Sequence, residues 1–450
     1  MRGWNAQTLA EAAGAQLVRR GSDGEGAGPA RVVVDSRVVG PDDLFVGLQG
    51  EHADGGSFAR AALEAGAWGV LVGPRWRGSL GAIEGGAVLV APDPLLALHA
   101  MARTWRRELA ADVIAVTGSV GKTSTKDLIA AMIAPHRPVV ASRANFNTEI
   151  GLPLELLSAP GGTEVLVLEL AMRAKGQIAE LTAICEPDVG VITNIGPVHL
   201  EQLGSLAGVA RAKGELLEGM RDGATAIVPD GEPLLSRLLR ESLRVISFGG
   251  PAADAFWEQP GRVAWLGDER SEVELPFTTG PQLMNSLAAL AAARAVGVLV
   301  SGPVEVKFSP LRGQRVELAD GSVVINDCYN ASPPSMRAAL DDLAMQHPAG
   351  RRVAVLGDML ELGLDELELH REIGVHAEAS GVELLITVGS RAAAMLETFE
   401  GESHAVADAS EAAALVGDLI EPGDLVLVKA SNGIGLWAVA DALSDDEDSS

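Results

Sequence analysis

Short apolar runs alternate with alanine-rich helical patterns along nearly the whole chain, and this alternation constrains the fold more than any other feature. "RVVVDS" and "DLFVGL" precede a helical pattern near residues 57–65, and "WGVLV" follows it. Runs of four to seven residues rich in Val, Ile and Leu, each trailed by a longer pattern with helical spacing, describe strands covered by helices, an α/β architecture. The pattern falls into three blocks. The first closes near "GAVLVAPDP", after which a helix over residues 95–109 leads into "DVIAVTG". The second holds "EVLVLEL", "VGVITN" and "ATAIV" and ends after "NSLAALAAARAVG". The third starts near Leu311 and holds "SVVINDC", "RRVAVLGD", "ELLITVG" and "DLVLVKAS", each but the last followed by a helical pattern. A chain of 450 residues exceeds what one core serves, so three domains is the natural division.

Composition narrows the class. The formal net charge is −26, from 61 acidic against 35 basic residues. Such a field repels nucleic acid and suits an enzyme acting on small molecules, with any anionic substrate held in local basic pockets. No uncharged apolar run reaches the length of a membrane span; the best candidate, residues 287–300, is interrupted by Arg294. The N-terminal "MRGWNAQTLAEAAGAQ" lacks the apolar segment of a signal peptide, which leads to the expectation of a cytoplasmic protein. Cys185 and Cys328 are too few for a disulfide framework and lack metal-ligand spacing, so both are expected as packed thiols. Residues 19–30 and the acidic tail "SDDEDSS" read as solvated, low-complexity segments.

The stretch "VTGSVGKTST" carries the clearest chemistry. An apolar strand over residues 113–116 runs into a glycine-bearing turn, Gly118, Ser119, Val120 and Gly121, and then into a helix beginning near Lys122. Backbone N–H groups of such a turn point at phosphate oxygens, with Lys122 as a point charge and the Thr123 hydroxyl as a ligand for Mg²⁺. The G-x-x-G-K-T spacing is shorter than the G-x-x-x-x-G-K-[ST] of motors and GTPases. Glu169 ends the strand "VLVLEL", where α/β enzymes place ligand groups and a carboxylate can hold a hard cation; a capping or surface role is the alternative. His199 follows "VGVITNIGPV", and a lone loop histidine is otherwise structural or solvated. Lys213 shares a helical stripe with Leu206, Val209, Ala210, Leu216 and Leu217 behind the N-cap Ser205. A lysine there pairs, snorkels or loses its proton; a neutral amine can add CO₂ to become a carbamate, an anionic oxygen ligand.

With these segments the sequence resembles the ATP-dependent Mur ligase family, most closely its MurF type. "TGSVGKTSTKD", "NFNTEIGLPL", "LELAMRAKGQI", "TNIGPVHLEQLGS", "ARAKGEL", "NSLAALAA", "GQRVEL", "INDCYNASPPSM", "VLGDMLELG" and "LVLVKAS" occur in that family's order, and "DSRVVGPDDLFVGLQGE" is similar to its first domain. The resemblance spans nearly the whole chain. It implies three domains: residues 1–108 for the UDP-substrate, 109–308 as a central P-loop-type ATPase, and 309–450 as a Rossmann-like ligase domain with the acidic tail. It also implies that Lys122, Thr123 and Ser124 hold ATP phosphates, that Thr123, Glu169, His199 and a carbamylated Lys213 bind Mg²⁺, and that Asn285 contacts adenine. Arg315 and Asp327 would close over ATP, with Asn330 a further nucleotide contact; Ser36 and Arg37 would face the uridine nucleotide, and Asn147 and Thr148 the substrate. The implied reaction joins D-alanyl-D-alanine to the terminal carboxylate of UDP-N-acetylmuramoyl-tripeptide through an acyl phosphate, with ADP and phosphate released. Nothing in the sequence requires more than a monomer.

Three segments depart from the family pattern. "DGHDF" is "DGGSF" here, so Gly56 replaces a histidine and Ser57 an aspartate. "DDSYNANP" is "NDCYNASP", leaving Asp327 beside Asn326, and the "KASR" type ending is "KASNG", with Asn432 in place of the guanidinium. The competing readings are a Mur-type ligase that adds another amino acid, a folylpolyglutamate synthase, a P-loop kinase and a regulatory ATP-binding protein. The Asn-Pro-Arg motif of a diaminopimelate-adding enzyme is absent, and "DSR" is foreign to the folate enzyme.

Overall fold

A computed structural model describes residues 3–21, 28–50, 53–80, 85–143, 145–277 and 280–445. Half of the low-complexity stretch, residues 22–27, and the end of the acidic tail, residues 446–450, lie outside the described residues. Each of the three blocks of alternating pattern builds a sheet of its own. The first runs in the order Gln16–Arg19, Ala87–Val90, Gly69–Val72, Asp43–Val46, Arg31–Val33, antiparallel only at the Gln16–Arg19 edge. Its inner strands are buried along their whole length, which is why they read as continuous apolar runs rather than alternations.

The central sheet has Asp112–Thr117 between Val165–Glu169 and Val189–Ile192, all parallel, with Val139–Ala141 at one edge. Beyond Thr225–Pro229 and Arg244–Gly249 it turns into an antiparallel ribbon, Ala255–Gln259, Val263–Leu266 and Glu269–Glu274. The apolar-run reading passed over this ribbon. In Glu269–Glu274, "ERSEVE", only Ser271 and Val273 are buried, so the strand follows the period-2 rule of a one-sided sheet and carries no hydrophobic run. The helix Gly280–Ala295 packs on Lys122–Ile133. Ala288, Ala289 and Ala292 are completely buried in that region; short side chains let the two backbones approach and bring the helix start to the phosphate loop.

The third sheet has the order Gln314–Glu317, Val323–Asn326, Leu425–Lys429, Arg352–Gly357, Leu384–Val388, Glu402–Val406 and is parallel except at its Gln314–Glu317 edge. One expectation fails here. The last long strand is not without a helix: Trp437–Asp445 follows it, and Leu436, Val439, Ala440 and Leu443 are buried at i, i+3, i+4 and i+7, the spacing of an amphipathic helix. Both cysteines are free and buried as expected, and desolvation pushes each thiol up to about 12. No helix among the described residues is long and apolar enough to cross a membrane. Ala289→Leu adds three carbons to a filled interface, so urea denaturation of the variant should show a loss of about 1–3 kcal/mol.

Candidate functional site

The strand Asp112–Thr117 delivers the loop 118–121 to the rim of a cleft of about 810 Å³ between the central and third domains. Gly118 has φ +150° and Gly121 φ +83°. A Cβ on Gly118 would lie 1.9 Å from Thr193 Oγ1, and one on Gly121 would lie 2.6 Å from Asn285 Oδ1. Both positions therefore demand glycine, for backbone conformation and for space. The "TN" of "TNIGPVH" braces the turn: Thr193 Oγ1 donates to the Val120 carbonyl at 2.5 Å, and Asn194 Oδ1 accepts the Val120 N–H at 2.9 Å. Thr193 and Asn194 belong to the quoted segment "TNIGPVHLEQLGS", but their bracing role depends on a turn more than 70 positions away and is invisible in the sequence. Ser119, Val120, Gly121, Lys122, Thr123 and Ser124 all line the cleft, and Asn285, 9% exposed, faces Gly121 from the first turns of Gly280–Ala295.

Two lysines meet at the base of the loop. Lys122 Nζ donates to the Gly118 carbonyl at 3.0 Å, and Lys213 Nζ donates to the same oxygen at 2.8 Å. Lys213 is carried by the helix Leu206–Gly219, capped by Ser205 as its sequence implied, although Leu206 in the first turn is exposed rather than on the buried stripe. Burial lowers the pKa of Lys122, and nearby Glu169 opposes the shift. For Lys213 burial and the neighbouring Lys122 act together, holding it well below the ordinary lysine value. Snorkelling is thereby excluded, since the amine ends in the interior with one carbonyl partner.

The carboxylate of Glu169, 2% exposed, is held from both sides. Thr123 Oγ1 donates to Oε2 at 2.8 Å and Asn147 Nδ2 to Oε1 at 2.9 Å. Thr148 lines the cleft beside Asn147. Among the described residues no three His, Cys, Asp or Glu side chains gather as a complete metal site. The paired Thr123 and Glu169 oxygens are instead a partial set of hard donors, of the kind Mg²⁺ completes with water and substrate phosphates. His199, with φ +52°, is turned toward the third domain, where Nδ1 lies 2.6 Å from Glu361 Oε2. Burial lowers its pKa against the pull of Glu361. The four expected metal ligands thus divide into the Thr123–Glu169 pair, a histidine held by Glu361, and a lysine on Gly118.

From the third domain Asp327 and Asn330 line the cleft, and Lys429 organises both: its Nζ lies 2.5 Å from Asp327 Oδ2 and 3.0 Å from the Asn330 carbonyl. Asn432 is also in the lining. Arg315 is not. It sits on the exposed edge strand Gln314–Glu317 and donates to Gln346 Oε1 at 2.7 Å, outside the cleft. The guanidinium that reaches the phosphate loop is Arg312, whose Nη2 donates to Thr123 Oγ1 at 2.9 Å. Arg312, Glu361 and Lys429 were missed because each needs a tertiary partner to acquire meaning.

Ser36 and Arg37 lie elsewhere, in a short 3-10 turn of the first domain, with Arg37 paired to Asp35; they do not line the central cleft. The Gly56 departure has a steric cause in this domain. A Cβ at Gly56 would stand 2.3 Å from the Trp76 ring, and Trp76 Nε1 donates to Asp54 Oδ2 at 3.0 Å. The indole takes the room that a side chain at position 56 would need. Gly56→His should destabilise the chain by about 1–3 kcal/mol, and adding Trp76→Ala should return part of that loss in thermal denaturation; strict additivity of the two changes would refute the coupling.

A glycine-bearing loop shorter than a standard P-loop, a buried carboxylate and lysine beside it, and a third domain closing the cleft occur together in known proteins. A family model described as Mur ligase middle domain matches residues 116–293, and one described as Mur ligase, glutamate ligase domain matches residues 311–432. The UDP-N-acetylmuramoyl-tripeptide–D-alanyl-D-alanine ligase of Bacillus subtilis is 35% identical over 420 residues, covering 90% of this chain and 91% of that protein. The crystal structure of MurF from Acinetobacter baumannii superposes with a TM-score of 0.85 at 29% identity, covering 98% and 99% of the two chains. MurF from Thermotoga maritima in complex with ADP gives 0.80 at 27% identity, with 93% and 98% covered. By fold, ordered motifs and extent of match, the chain belongs to the Mur ligase family.

Proposed function

We propose that this chain is an ATP-dependent, ADP-forming peptide ligase that joins D-alanyl-D-alanine to the terminal carboxylate of UDP-N-acetylmuramoyl-tripeptide, making a peptidoglycan precursor. The observation that carries the reading is the convergence of Lys122, Thr123 and Glu169 on one loop, in a chain that matches ligases of this name over nine tenths of its length. It acts as a monomer in the cytoplasm, since a single chain supplies the loop, the carboxylate and the groups that close the cleft.

The carboxylate of the peptide attacks the γ-phosphorus of ATP. A phosphorus–oxygen bond forms to the carboxylate, the bond to the β-phosphate oxygen breaks, and ADP leaves. The amine of the dipeptide then attacks the acyl carbon, phosphate departs with the bonding pair, and the nitrogen loses its proton to solvent, leaving an amide. In such transfers a protein mainly positions groups and balances charge. The N–H groups of Gly121 and Lys122 and the Lys122 ammonium face the phosphates, the N–H groups of Ser119 and Val120 being held by Asn194; Asn285 faces the base, and Asn147 and Thr148 face the peptide carboxylate. Thr123 and Glu169 would hold Mg²⁺, which neutralises phosphate charge when bound. His199 is kept in place by Glu361, and Asp327 by Lys429, so that closure of the third domain completes the site.

Lys213 is carbamylated in the active enzyme. Its neutral nitrogen forms a bond to the carbon of CO₂ and releases a proton, giving an anion beside Lys122. The exchange turns the repulsion between two buried amines into attraction. Lys213→Ala should lower ligase activity by roughly 10- to 100-fold or more, without rescue by bicarbonate, and should erase a carbamate resonance seen with ¹³C-bicarbonate in the parent protein. Turnover near that of the parent would end the carbamate role. The overall reading is tested by phosphate release from Mg²⁺-ATP with UDP-N-acetylmuramoyl-tripeptide and D-alanyl-D-alanine, each omitted in turn. Release needing both, with a pentapeptide product by mass, is expected; release needing only one would point to a kinase or hydrolase.

A further inference from the structure

Glu361, the third-domain group that holds His199, stands in a turn whose backbone is fixed from outside. The turn, residues 358–362, follows the strand Arg352–Gly357, and Glu361 has φ +63°, a left-handed conformation that a non-glycine residue keeps only where its surroundings impose it. Successive residues supply the anchors. Asp358, 4% exposed, accepts the N–H groups of Arg391 and Ala392 at 3.0 and 2.7 Å. The Met359 N–H donates to His370 Nε2 at 3.0 Å, and the Leu360 N–H to Ser431 Oγ at 3.0 Å. The side chains of Met359 and Leu362 are buried.

His370 comes to this turn from the helix Glu366–Ala379 and is completely buried. Its ring is held at both nitrogens, since Nδ1 lies 2.6 Å from the Glu366 carbonyl. A carbonyl only accepts and a backbone N–H only donates, so the ring is neutral with its proton on Nδ1. Burial favours the same form by lowering the pKa. A ring satisfied in this way presents one acceptor, in one direction, to the Met359 N–H. His370 itself does not line the cleft.

We propose that His370 is a positioning residue for the reaction: through the Met359 N–H it fixes the turn that aims Glu361 at His199. The inference rests on the ligase reading above. Glu361 Oε2 takes Nδ1 of His199 at 2.6 Å, so the His199 ring meets the cleft with Nε2. A carboxylate behind a histidine sets its tautomer and orientation, and His370 carries that control one step further from the cleft.

The test compares two variants of the full-length protein. The amide of His370→Gln reaches the Nε2 position and still accepts from Met359, whereas His370→Asn replaces only the Nδ1 side and leaves the Met359 N–H unpaired. His370→Asn should lower kcat roughly 10- to 100-fold, leave ADP affinity by calorimetry unchanged, and speed hydrogen exchange at residues 359–361. His370→Gln should retain most of the parent's turnover and protection. Added to Glu361→Gln, His370→Asn should cost no further activity, because both act through one contact. Equal losses in the two His370 variants, parent-like kcat in His370→Asn, or losses that multiply in the double variant would overturn the assignment. Thermal denaturation reports folding. If His370→Asn does not fold, Ser431→Ala, which removes the acceptor of the next N–H, must show the same coupling to Glu361→Gln, and its absence would overturn the assignment as well. Parent protein that makes no ligation product would overturn the ligase reading and this inference with it, whereas an active parent isolates the question of His370.

Discussion

The Gly118 carbonyl accepts hydrogen bonds from two buried lysines, and much of the cleft is arranged around that crowding. Two ammonium groups cannot both remain charged at close range without water at no cost, so one of them must give up its proton or gain an anionic partner. Lys122 has Glu169 to oppose its desolvation; Lys213 has no such carboxylate and is depressed further. Glu169 thereby favours the charged form of Lys122, whereas burial and Lys122 together favour the uncharged form of Lys213. The left-handed turn at Gly118 and Gly121 is what exposes this carbonyl to both side chains, and the Thr193 and Asn194 contacts keep the turn from relaxing.

The third domain enters this arrangement at a few charged points. Glu361 reaches His199, Arg312 reaches Thr123, and Ser309 in the connecting segment is clasped by Asp127, whose carboxylate accepts both its N–H and its hydroxyl. Asp127 belongs to the same helix, Lys122–Ile133, that starts at the phosphate loop. The connection between domains is thus pinned to the element that would bind phosphate, and movement of the third domain is referred to the site rather than to the remote edge of the sheet. Lys429, almost fully buried, holds Asp327 and the Asn330 backbone as one unit, so these groups travel with their strand and not as independent side chains.

Local pattern carried a great deal of this. Parallel strands buried on both faces read directly as apolar runs, and the strand-turn-helix at residues 112–133 was visible because its glycines, lysine and threonine are adjacent in the chain. Helical spacing put Lys213 on the apolar stripe but left its amine free to snorkel; its burial on the Gly118 carbonyl came from the tertiary structure. The ribbon at residues 255–274 escaped because a one-sided strand such as "ERSEVE" has too few apolar residues to be seen as a run. The helix Trp437–Asp445 has a readable spacing in Leu436, Val439, Ala440 and Leu443, but it is short and runs straight into the acidic tail, which masks its pattern.

By itself the sequence determined the α/β class, the three blocks, the phosphate loop and the family to which the ordered motifs belong, because each of these is set by residues close together along the chain. Only the tertiary structure decided that Arg312 rather than Arg315 faces Thr123, that Glu361 holds His199, and that Trp76 occupies the room beside Gly56. Those pairs lie between 20 and 189 positions apart or turn on which edge of a strand a side chain leaves. Periodicity specifies a residue's face within its own element; which distant group meets that face depends on how separate sheets dock, and that is settled by packing across the cleft.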